Sequence, residues 1–317
     1  MKFEDFIEEW HNAAPYIIVR TSGSTGQPKE IQLEKEFVKE SARRTNYFFT
    51  ISSGSRLHSC VGADFIGGKM MAVRASLAGC DFTWEKPSNR PLGDLSVSDE
   101  ITLLSVVPSQ MIHILDNSDK MPIIRNFLIG GSAITPSLRK RIAESGLRAF
   151  ESYGMTETAS HIALRKIESE EGWFETLPGI EVDLDNRGCL VIRFLSGEIF
   201  VTNDMAVLRS STNFKIKGRY DNVIITGGKK LHPEDLEKRI SHLFESEFLI
   251  SSEEDEKWGE RVILIIEGSP SGRTEKEILS EVSKIVEKWE VPKSVKWVDK
   301  LPRTPNGKIV RSSFLTK

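Results

Sequence analysis

The chain has 317 residues, of which 39% are hydrophobic, enough for two domains with buried cores. Lys and Arg number 43 against 46 Asp and Glu, and this balance argues against general nucleic-acid binding, which needs excess positive charge. No apolar run approaches the roughly 20 residues of a membrane span, and the acidic start MKFEDFIEEW is unlike a signal peptide. Cys60, Cys80 and Cys189 fit neither a disulfide framework nor a zinc site, which favours a reduced, cytoplasmic protein.

The first half of the chain alternates short β-branched runs with helical patterns. Residues 16–20 predict a strand, and apolar residues at helical spacing over 38–49 predict a helix. The apolar runs 101–107 and 126–131 predict buried strands, and a proline opens a helix over 136–143. This βα alternation indicates a largely parallel sheet covered by helices.

The pattern changes in the second half. Segment 185–220 holds short strand-like pieces separated by Gly, Asn and Asp turn signals. Pro233 marks a helix start, and Thr274 opens a T-x-x-E capping box before another helix. Strands are predicted at 261–268 and 295–298.

The fold expected from these elements is α/β. It has a large N-terminal domain of mixed and parallel sheet with helices over 1–220, and a small α+β domain over 221–317.

The segment TSGSTGQPK, residues 21–29, is suited to phosphate. Its glycines let backbone N–H groups approach an anion, its hydroxyls can donate hydrogen bonds, and its lysine adds charge. We expect it to leave a strand and precede a helix, a usual place for phosphate; a flexible surface turn is the alternative. The groups in question are Thr21, Ser22, Gly23, Ser24, Thr25, Gly26 and Lys29.

This segment closely resembles the phosphate loop of the adenylate-forming superfamily, which includes acyl-CoA synthetases, luciferases and peptide-synthetase adenylation domains. Further segments resemble that superfamily's other motifs in the expected order: GGSAI (130–134), SYGMTET (152–158), TND (202–204) with GRYDNVIITGGKKLHPEDLE (218–237), and PRTPNGKIVR (302–311). The resemblance covers almost the whole chain. It implies an enzyme that uses ATP and Mg²⁺ to activate a carboxylic acid and CoA to accept the acyl group.

The resemblance also implies roles for single residues of the nucleotide site. Gly131, Ser132 and Gly154 belong to the adenine pocket, where Tyr153 offers a flat face for stacking, although a tyrosine in the core is the alternative. Thr156 contacts phosphate. Glu157 holds Mg²⁺, a hard cation for which a carboxylate is a suitable ligand; the alternative is a solvated surface acid.

Four more roles follow from the later motifs. Asp204 accepts hydrogen bonds from the ribose hydroxyls, and Arg219 is a second ribose or phosphate contact. Asn203 stands where the superfamily has glycine, so the loop shape there is open. Lys308 corresponds to the catalytic lysine, and Asp221 corresponds to the hinge at which the small domain swings between the two half-reactions.

Three segments resemble, in compact form, the o-succinylbenzoate–CoA ligases of menaquinone biosynthesis: GADFIGGKMMAVRASLAG (62–79), SVVPSQM (105–111) and MTETASHI (155–162). Phe65 would be an aromatic gate beside the reacting carboxylate, and Lys69 would pair with the second carboxylate unless it is merely a solvated helix cation. Arg74 is the other cation near this pocket. The keto group or ring carboxylate would bind Ser109, Gln110 and Ser160, although a mere strand-end role is the alternative for Ser109 and Gln110. The role of His161 is open.

The function expected is that of an acid–CoA ligase whose acid is 2-succinylbenzoate. Three alternatives remain: another aryl or acyl-CoA ligase, an adenylation protein that loads a phosphopantetheine carrier, and a non-catalytic nucleotide-binding regulator. The expected partners are small molecules, not nucleic acid, without stable membrane insertion; a homo-oligomer is left open.

Overall fold

The computed structural model describes residues 1–20, 29–270, 272–303 and 309–314. The chain forms two compact units: the first comprises 1–134, 138–181 and 194–196, and the second comprises 135–137, 182–193 and 197–317. The domain boundary expected at 220/221 is the point about which the small domain would move, and it stays a prediction. In the part of the chain that the structure describes, no helix is long and apolar enough to cross a membrane.

The first unit combines helices with a mixed sheet. Its elements are α1 (Phe3–His11), β1 (Tyr16–Arg20), β2 (Glu30–Glu34), α2 (Lys35–Phe49), β3 (Arg56–Ser59), α3 (Ile66–Ala78), β4 (Asp81–Trp84), β5 (Glu100–Ile101), β6 (Leu103–Val106), α4 (Pro108–Asp116), β7 (Ile123–Ile124), β8 (Phe127–Ile129), most of α5 (Pro136–Glu144), β9 (Ala149–Met155), β10 (Ser160–Lys166) and β11 (Phe174–Thr176).

Seven strands of this unit lie side by side in the order β11-β10-β9-β8-β6-β3-β4. The five from β9 to β4 are parallel, and β10 and β11 join them antiparallel. The predicted sheet is therefore confirmed. Parallel strands place all their carboxyl ends at one edge, which is where open α/β sheets bind ligands.

The helix predicted over 38–49 is confirmed as α2, which buries Val38, Ala42, Thr45 and Phe49 on one face. The element before it was predicted wrongly. A second strand, β2, pairs antiparallel with β1 and occupies the residues directly before the helix. The segment after β1 therefore does not lead straight into a helix.

The second unit is built mainly of antiparallel strands. Its elements are β12 (Ile180–Leu184) and β13 (Cys189–Phe194), each of which crosses the division, β14 (Ile199–Ser210), β15 (Asn213–Arg219), β16 (Ile224–Thr226), β17 (Lys229–Leu231), α6 (Pro233–Ile240), β18 (Phe248–Asp255), β19 (Gly259–Glu267), α7 (Glu275–Val282) and β20 (Ser294–Val298).

Strands β12 to β15 pair in sequence order, whereas β16 to β20 form a five-stranded sheet in which β20 is parallel to β19. The helix starts predicted here are confirmed. Pro233 opens α6, and Thr274 caps α7: its hydroxyl accepts a bond from Glu277 N at 3.3 Å, while the Glu277 carboxylate accepts one from Thr274 N at 2.8 Å.

A close backbone approach in the first unit requires a glycine at residue 154. Gly154 on β9 pairs with His161 on β10. A Cβ at residue 154 would overlap the carbonyl oxygen of Ser160 and lie 2.5 Å from the Cα of His161. Backbone atoms cannot move away as the tip of a side chain can, so the two strands would have to separate.

We therefore expect Gly154→Ala to destabilise the protein by about 1–3 kcal/mol, the usual cost of overpacking. Gly54→Ala is the matched control, because nothing lies within 4 Å of a Cβ there and its φ is not positive. Urea unfolding of both variants measures the difference. Equal stabilities would contradict the close approach.

Candidate nucleotide and acyl sites

The turn after β8 lies against the neighbouring strand β9. The Ser152 hydroxyl donates to the carbonyl oxygen of Ile129 at 3.1 Å, and a Cβ on Gly130 would overlap that hydroxyl. Gly131 has a φ of +92°, a conformation that glycine adopts at little cost. The structure thus brings together the predicted adenine-pocket residues at the carboxyl edge of the sheet: Gly131, Ser132, Tyr153 and Gly154.

Tyr153 is half-buried and packs on Phe174, with ring centroids 5.7 Å apart. The Arg165 guanidinium lies 4.1 Å from the centre of the Phe174 ring. Arg165 is held by two carboxylates, those of Glu151 at 2.9 Å and Glu171 at 2.8 Å. This buried network, which Arg139 joins through Glu151, fixes the ring on which the tyrosine rests.

The turn between β9 and β10 carries Thr156 and Glu157. Thr158 ties it together: its hydroxyl accepts a bond from Met155 N and donates to the carbonyl oxygen of Ser160 at 2.8 Å, while the carbonyl oxygen of Met155 lies 3.0 Å away. Ala159 and Ser160 have φ of 51° and 92°, and non-glycine residues in this region store strain that the surroundings must hold.

Glu157 is half-buried, and among the described residues its carboxylate has no hydrogen-bond or ion-pair partner. A carboxylate that is free of protein partners can give its oxygens to a hard cation.

The Arg74 side chain on α3 is completely buried, and no carboxylate pairs with it among the described residues. Its Nη2 lies 3.5 Å from the Ser160 hydroxyl and 3.4 Å from His161 Nδ1, its Nη1 lies 3.5 Å from the sulfur of Met71, and its Nε has no partner. These distances are at the outer limit of hydrogen bonding. Burial lowers the pKa of Arg74 to about 9.

His161 is buried beside this guanidinium. Burial, together with the charge of Arg74, holds the pKa of His161 well below its usual range, so the ring is neutral. The Thr45 hydroxyl, 3.0 Å from His161 Nε2, also lies 3.2 Å from the carbonyl oxygen of Ser41, to which it donates. Its proton is thus used, so Nε2–H donates to Thr45 and Nδ1 is left to accept a bond from Arg74. Among the residues that the structure describes, no carboxylate enters this chain of bonds.

Lys69 is also buried, but unlike Arg74 it has an acidic neighbour. Its Nζ lies 3.6 Å from a carboxylate oxygen of Glu9, 4.2 Å from the centre of the Phe6 ring and 3.0 Å from the sulfur of Met1. Burial lowers the pKa of Lys69, and Glu9 opposes that shift. Phe65, the predicted gate, is half-buried at the N-cap of the same helix, α3.

Gln110 and Ser109 begin α4 and differ in exposure. The Gln110 amide is used fully by backbone groups: Oε1 accepts a bond from Val107 N, and Nε2 donates to the carbonyl oxygens of Cys60 and Ser88, each at 3.0 Å. Ser109 is exposed. Gln110 therefore holds two segments in place, and direct contact of either side chain with an acid stays a prediction.

In the second unit, Asp204 and Asp221 share one arginine. Arg219 reaches Asp204 at 3.2 Å and Asp221 at 2.9 Å. Asn203 lies within the extended strand β14 without a positive φ, so the backbone at this position does not demand glycine. The Asn203 amide donates to the Asp221 carboxylate and accepts a bond from Arg187 at 2.8 Å. Asn203 and Arg219 therefore both contact Asp221.

Several predicted residues lie outside the described part of the chain: Thr21, Ser22, Gly23, Ser24, Thr25, Gly26 and Lys308. Lys29, at the end of the predicted phosphate loop, is described and exposed.

Sequence reasoning named Arg74 as a cation near the pocket but chose Lys69 for the second carboxylate. A signal was present in the sequence: α3 is largely apolar all around, so charged residues inside it become buried. The sequence could not show which of the two cations has an acidic neighbour, because Glu9 is distant along the chain.

Comparison with known proteins agrees with this architecture. The curated 2-succinylbenzoate–CoA ligase of Lactococcus lactis is 25% identical over 94% of this chain and 70% of its own length. An acyl-CoA synthetase (AMP-forming)/AMP-acid ligase II-like protein from Dyadobacter fermentans is 31% identical over 98% of this chain and 91% of that one, with a TM-score of 0.63.

The o-succinylbenzoate CoA synthetase of Bacillus subtilis, solved with the acyl-adenylate intermediate OSB-AMP, has the same fold. It is 23% identical, with a TM-score of 0.79 over 93% of this chain and 68% of that one. The family model for AMP-binding enzymes matches residues 4–209, and the model for the C-terminal domain of those enzymes matches residues 245–308. The chain therefore belongs to the AMP-binding enzyme family.

Proposed function

We propose that this protein is an ATP-dependent acid–CoA ligase whose acid is 2-succinylbenzoate, in menaquinone biosynthesis. The observation that carries the choice of acid is the buried guanidinium of Arg74, which has no carboxylate partner among the described residues. A charge buried without compensation is costly, and a second carboxylate on the substrate would neutralise it. The curated relatives named 2-succinylbenzoate–CoA ligase support the same acid.

Arg74 would bind the carboxylate that does not react. Ser160 and His161 lie beside it and can orient an acid that enters there, since His161 is neutral and adds no competing charge. Arg74 is a better candidate for this contact than Lys69, because Glu9 already lies beside Lys69.

The described residues fit ATP and Mg²⁺. Tyr153, braced by Phe174, would stack on adenine beside Gly131, Ser132 and Gly154. Asp204 would bind the ribose hydroxyls, and Arg219 would be a second ribose or phosphate contact. Glu157, whose carboxylate has no partner among the described residues, would hold Mg²⁺, which neutralises charge on the phosphates when it is bound. Thr156, Lys29 and the rest of segment 21–29 would contact phosphate oxygens.

The reaction has two half-reactions. The substrate carboxylate attacks the α-phosphorus of ATP, and pyrophosphate leaves. The CoA thiolate then attacks the acyl carbon, and AMP leaves. Dividing the transfer in this way replaces one difficult step by two easier ones. The three free cysteines agree with a cytoplasmic enzyme, and this location stays a prediction.

The acid assignment predicts a selective defect in Arg74→Met, which keeps the bulk of the side chain but removes its charge. The KM for 2-succinylbenzoate should rise about 30-fold or more, the lower end of the cost of breaking a buried charge pair. The KM for benzoate, which lacks the second carboxylate, should change little. Acid-dependent ATP–pyrophosphate exchange measures both.

Lys69→Met is the matched comparison, because it removes another buried cation from the same helix. It should alter the preference for the diacid by less than about threefold, since Glu9 already compensates Lys69. If the KM for the diacid rises in Lys69→Met and not in Arg74→Met, Lys69 is the residue that binds the second carboxylate. An equal rise for both acids in Arg74→Met would contradict the assignment.

Lys308→Ala tests the division into half-reactions. We expect acyl-adenylate formation to fall about 100-fold or more, the scale of losing one electrostatic stabiliser. Conversion of a supplied acyl-adenylate and CoA to product should continue near the unmodified rate. Equal losses in both half-reactions would show that Lys308 has no step-specific role.

Asp221→Pro tests the proposed hinge. Proline fixes φ near −65° and removes a backbone donor, so the small domain should be held in one orientation. We expect pyrophosphate exchange to survive while thioester formation collapses.

Asp221→Ala separates the effect of restricting the backbone from the effect of losing the carboxylate. Like the proline variant it loses the contacts with Arg219 and Asn203, but its φ is not fixed. If Asp221 is only a turn residue, both variants should lower the two half-reactions together with the melting temperature, or change neither.

A further inference from the structure

Strands β3 and β4 place four polar side chains on one face of the sheet. His58 is paired in register with Thr83, and residues two apart along a strand point to the same side. The extended pairing continues past both strands: Cys60 N donates to the carbonyl oxygen of Ser105 at 3.0 Å, and Glu85 N donates to that of Ser59 at 3.2 Å. Cys60 and Glu85 therefore lie beside His58 and Thr83.

His58, Cys60 and Glu85 each offer one ligand atom, and these atoms all lie within 4.8 Å of one another. Nε2 of His58 is 3.7 Å from a carboxylate oxygen of Glu85. A zinc ion with metal–ligand distances of about 2.0–2.3 Å separates its tetrahedral ligands by roughly 3.3–3.8 Å. Small side-chain rotations would bring the three groups to that spacing.

Two polar atoms of this cluster are buried without hydrogen bonds in the described structure. They are Nε2 of His58, a residue only 2% exposed, and Oε1 of Glu85. Leaving such atoms unbonded costs about 1–3 kcal/mol each, so their presence calls for an explanation. A bound cation supplies one.

The partners around the cluster match those that orient metal ligands. Nδ1 of His58 lies 2.8 Å from the Thr83 hydroxyl. Donation from Nδ1–H to that oxygen leaves the Nε2 lone pair directed at Cys60 and Glu85, and histidine ligands are usually held in this way by their other nitrogen. The Gln110 amide holds the backbone of Cys60 from the other side.

We propose that His58, Cys60 and Glu85 form a binding site for one Zn²⁺ ion, with water as the fourth ligand; the Cys60 thiol releases its proton to solvent when the ion binds. A set of one sulfur, one nitrogen and one oxygen suits zinc and excludes Mg²⁺, which takes oxygen ligands. The site is distinct from Glu157. The cysteine pattern in the sequence gave no indication of it, because only one of its ligands is a cysteine.

The ion would be a clamp between segments. The Glu85 carboxylate also accepts a bond from Leu92 N at 2.8 Å, so zinc bound there would fasten both the end of β4 and the following segment to β3. This proposal does not depend on which acid the enzyme uses.

Titration of the metal-free full-length chain with Co²⁺ tests the site, because cobalt reports its ligands by absorption. We expect one equivalent to produce a thiolate-to-cobalt charge-transfer band and the intense visible bands of a tetrahedral ion. Zn²⁺ should abolish both bands by displacement. Cobalt bound adventitiously to exposed histidines or carboxylates would give no thiolate band, and that result with the unmodified protein would overturn the proposal.

Variants identify the ligands. Cys60→Ala should lose the charge-transfer band, whereas Cys189→Ser, which changes the other buried cysteine, should keep it. Thr83→Val should weaken Zn²⁺ binding about 10–100-fold, as loss of an orienting partner does in other zinc sites. Circular dichroism of each metal-free variant checks that it is folded. An unchanged band in folded Cys60→Ala would contradict the site.

Discussion

The burial of one guanidinium constrains the acyl side of this protein. Arg74 lies on a helix that is largely apolar, and its neighbours among the described residues are a hydroxyl, a neutral imidazole and a thioether. Burial and the adjacent charge of Arg74 both lower the pKa of His161, so the imidazole is neutral. The strained turn before β10 presents Ser160 to the same charge. Among the described residues no negative charge compensates this guanidinium, which is why we propose that an anionic substrate does.

The part of the first unit that we propose binds the nucleotide depends on close backbone approaches. Gly154 allows β9 and β10 to touch, and Gly130 allows the turn after β8 to lie against Ser152. The arginine–glutamate network beneath Phe174 then fixes the ring that supports Tyr153. Binding groups held in this manner lose little conformational freedom when a ligand arrives, because the folding of the sheet has already ordered them.

Much of the fold could be predicted from periodicity and capping. The face of α2, the proline start of α6 and the capping box of α7 are local signals, and each is confirmed. The strand β2 was missed because its residues, EIQLE, are mostly charged or polar. In the described structure it is held by antiparallel pairing with β1 in a two-stranded sheet. Local propensity cannot reveal a pairing that is fixed by a partner elsewhere in the chain.

The candidate site residues also fall into two groups: those that local motifs indicate, and those that depend on contacts between distant segments. Motif residues such as Tyr153 and Asp204 could be named from sequence because their types and spacing follow the superfamily pattern. The distinction between Lys69 and Arg74, and the meeting of His58 with Glu85, depend on contacts between segments distant in sequence. The same is true of Gln110, whose amide is occupied by backbone groups of two other segments.

The central claim is that this AMP-binding enzyme activates a dicarboxylic aromatic acid. Acid-dependent ATP–pyrophosphate exchange by the unmodified chain, with 2-succinylbenzoate, benzoate and a medium-chain fatty acid compared at equal concentrations, tests it most directly. The account predicts a kcat/KM for 2-succinylbenzoate about tenfold or more above the others, because a monoacid leaves Arg74 unpaired. Comparable values for benzoate or for the fatty acid would contradict it.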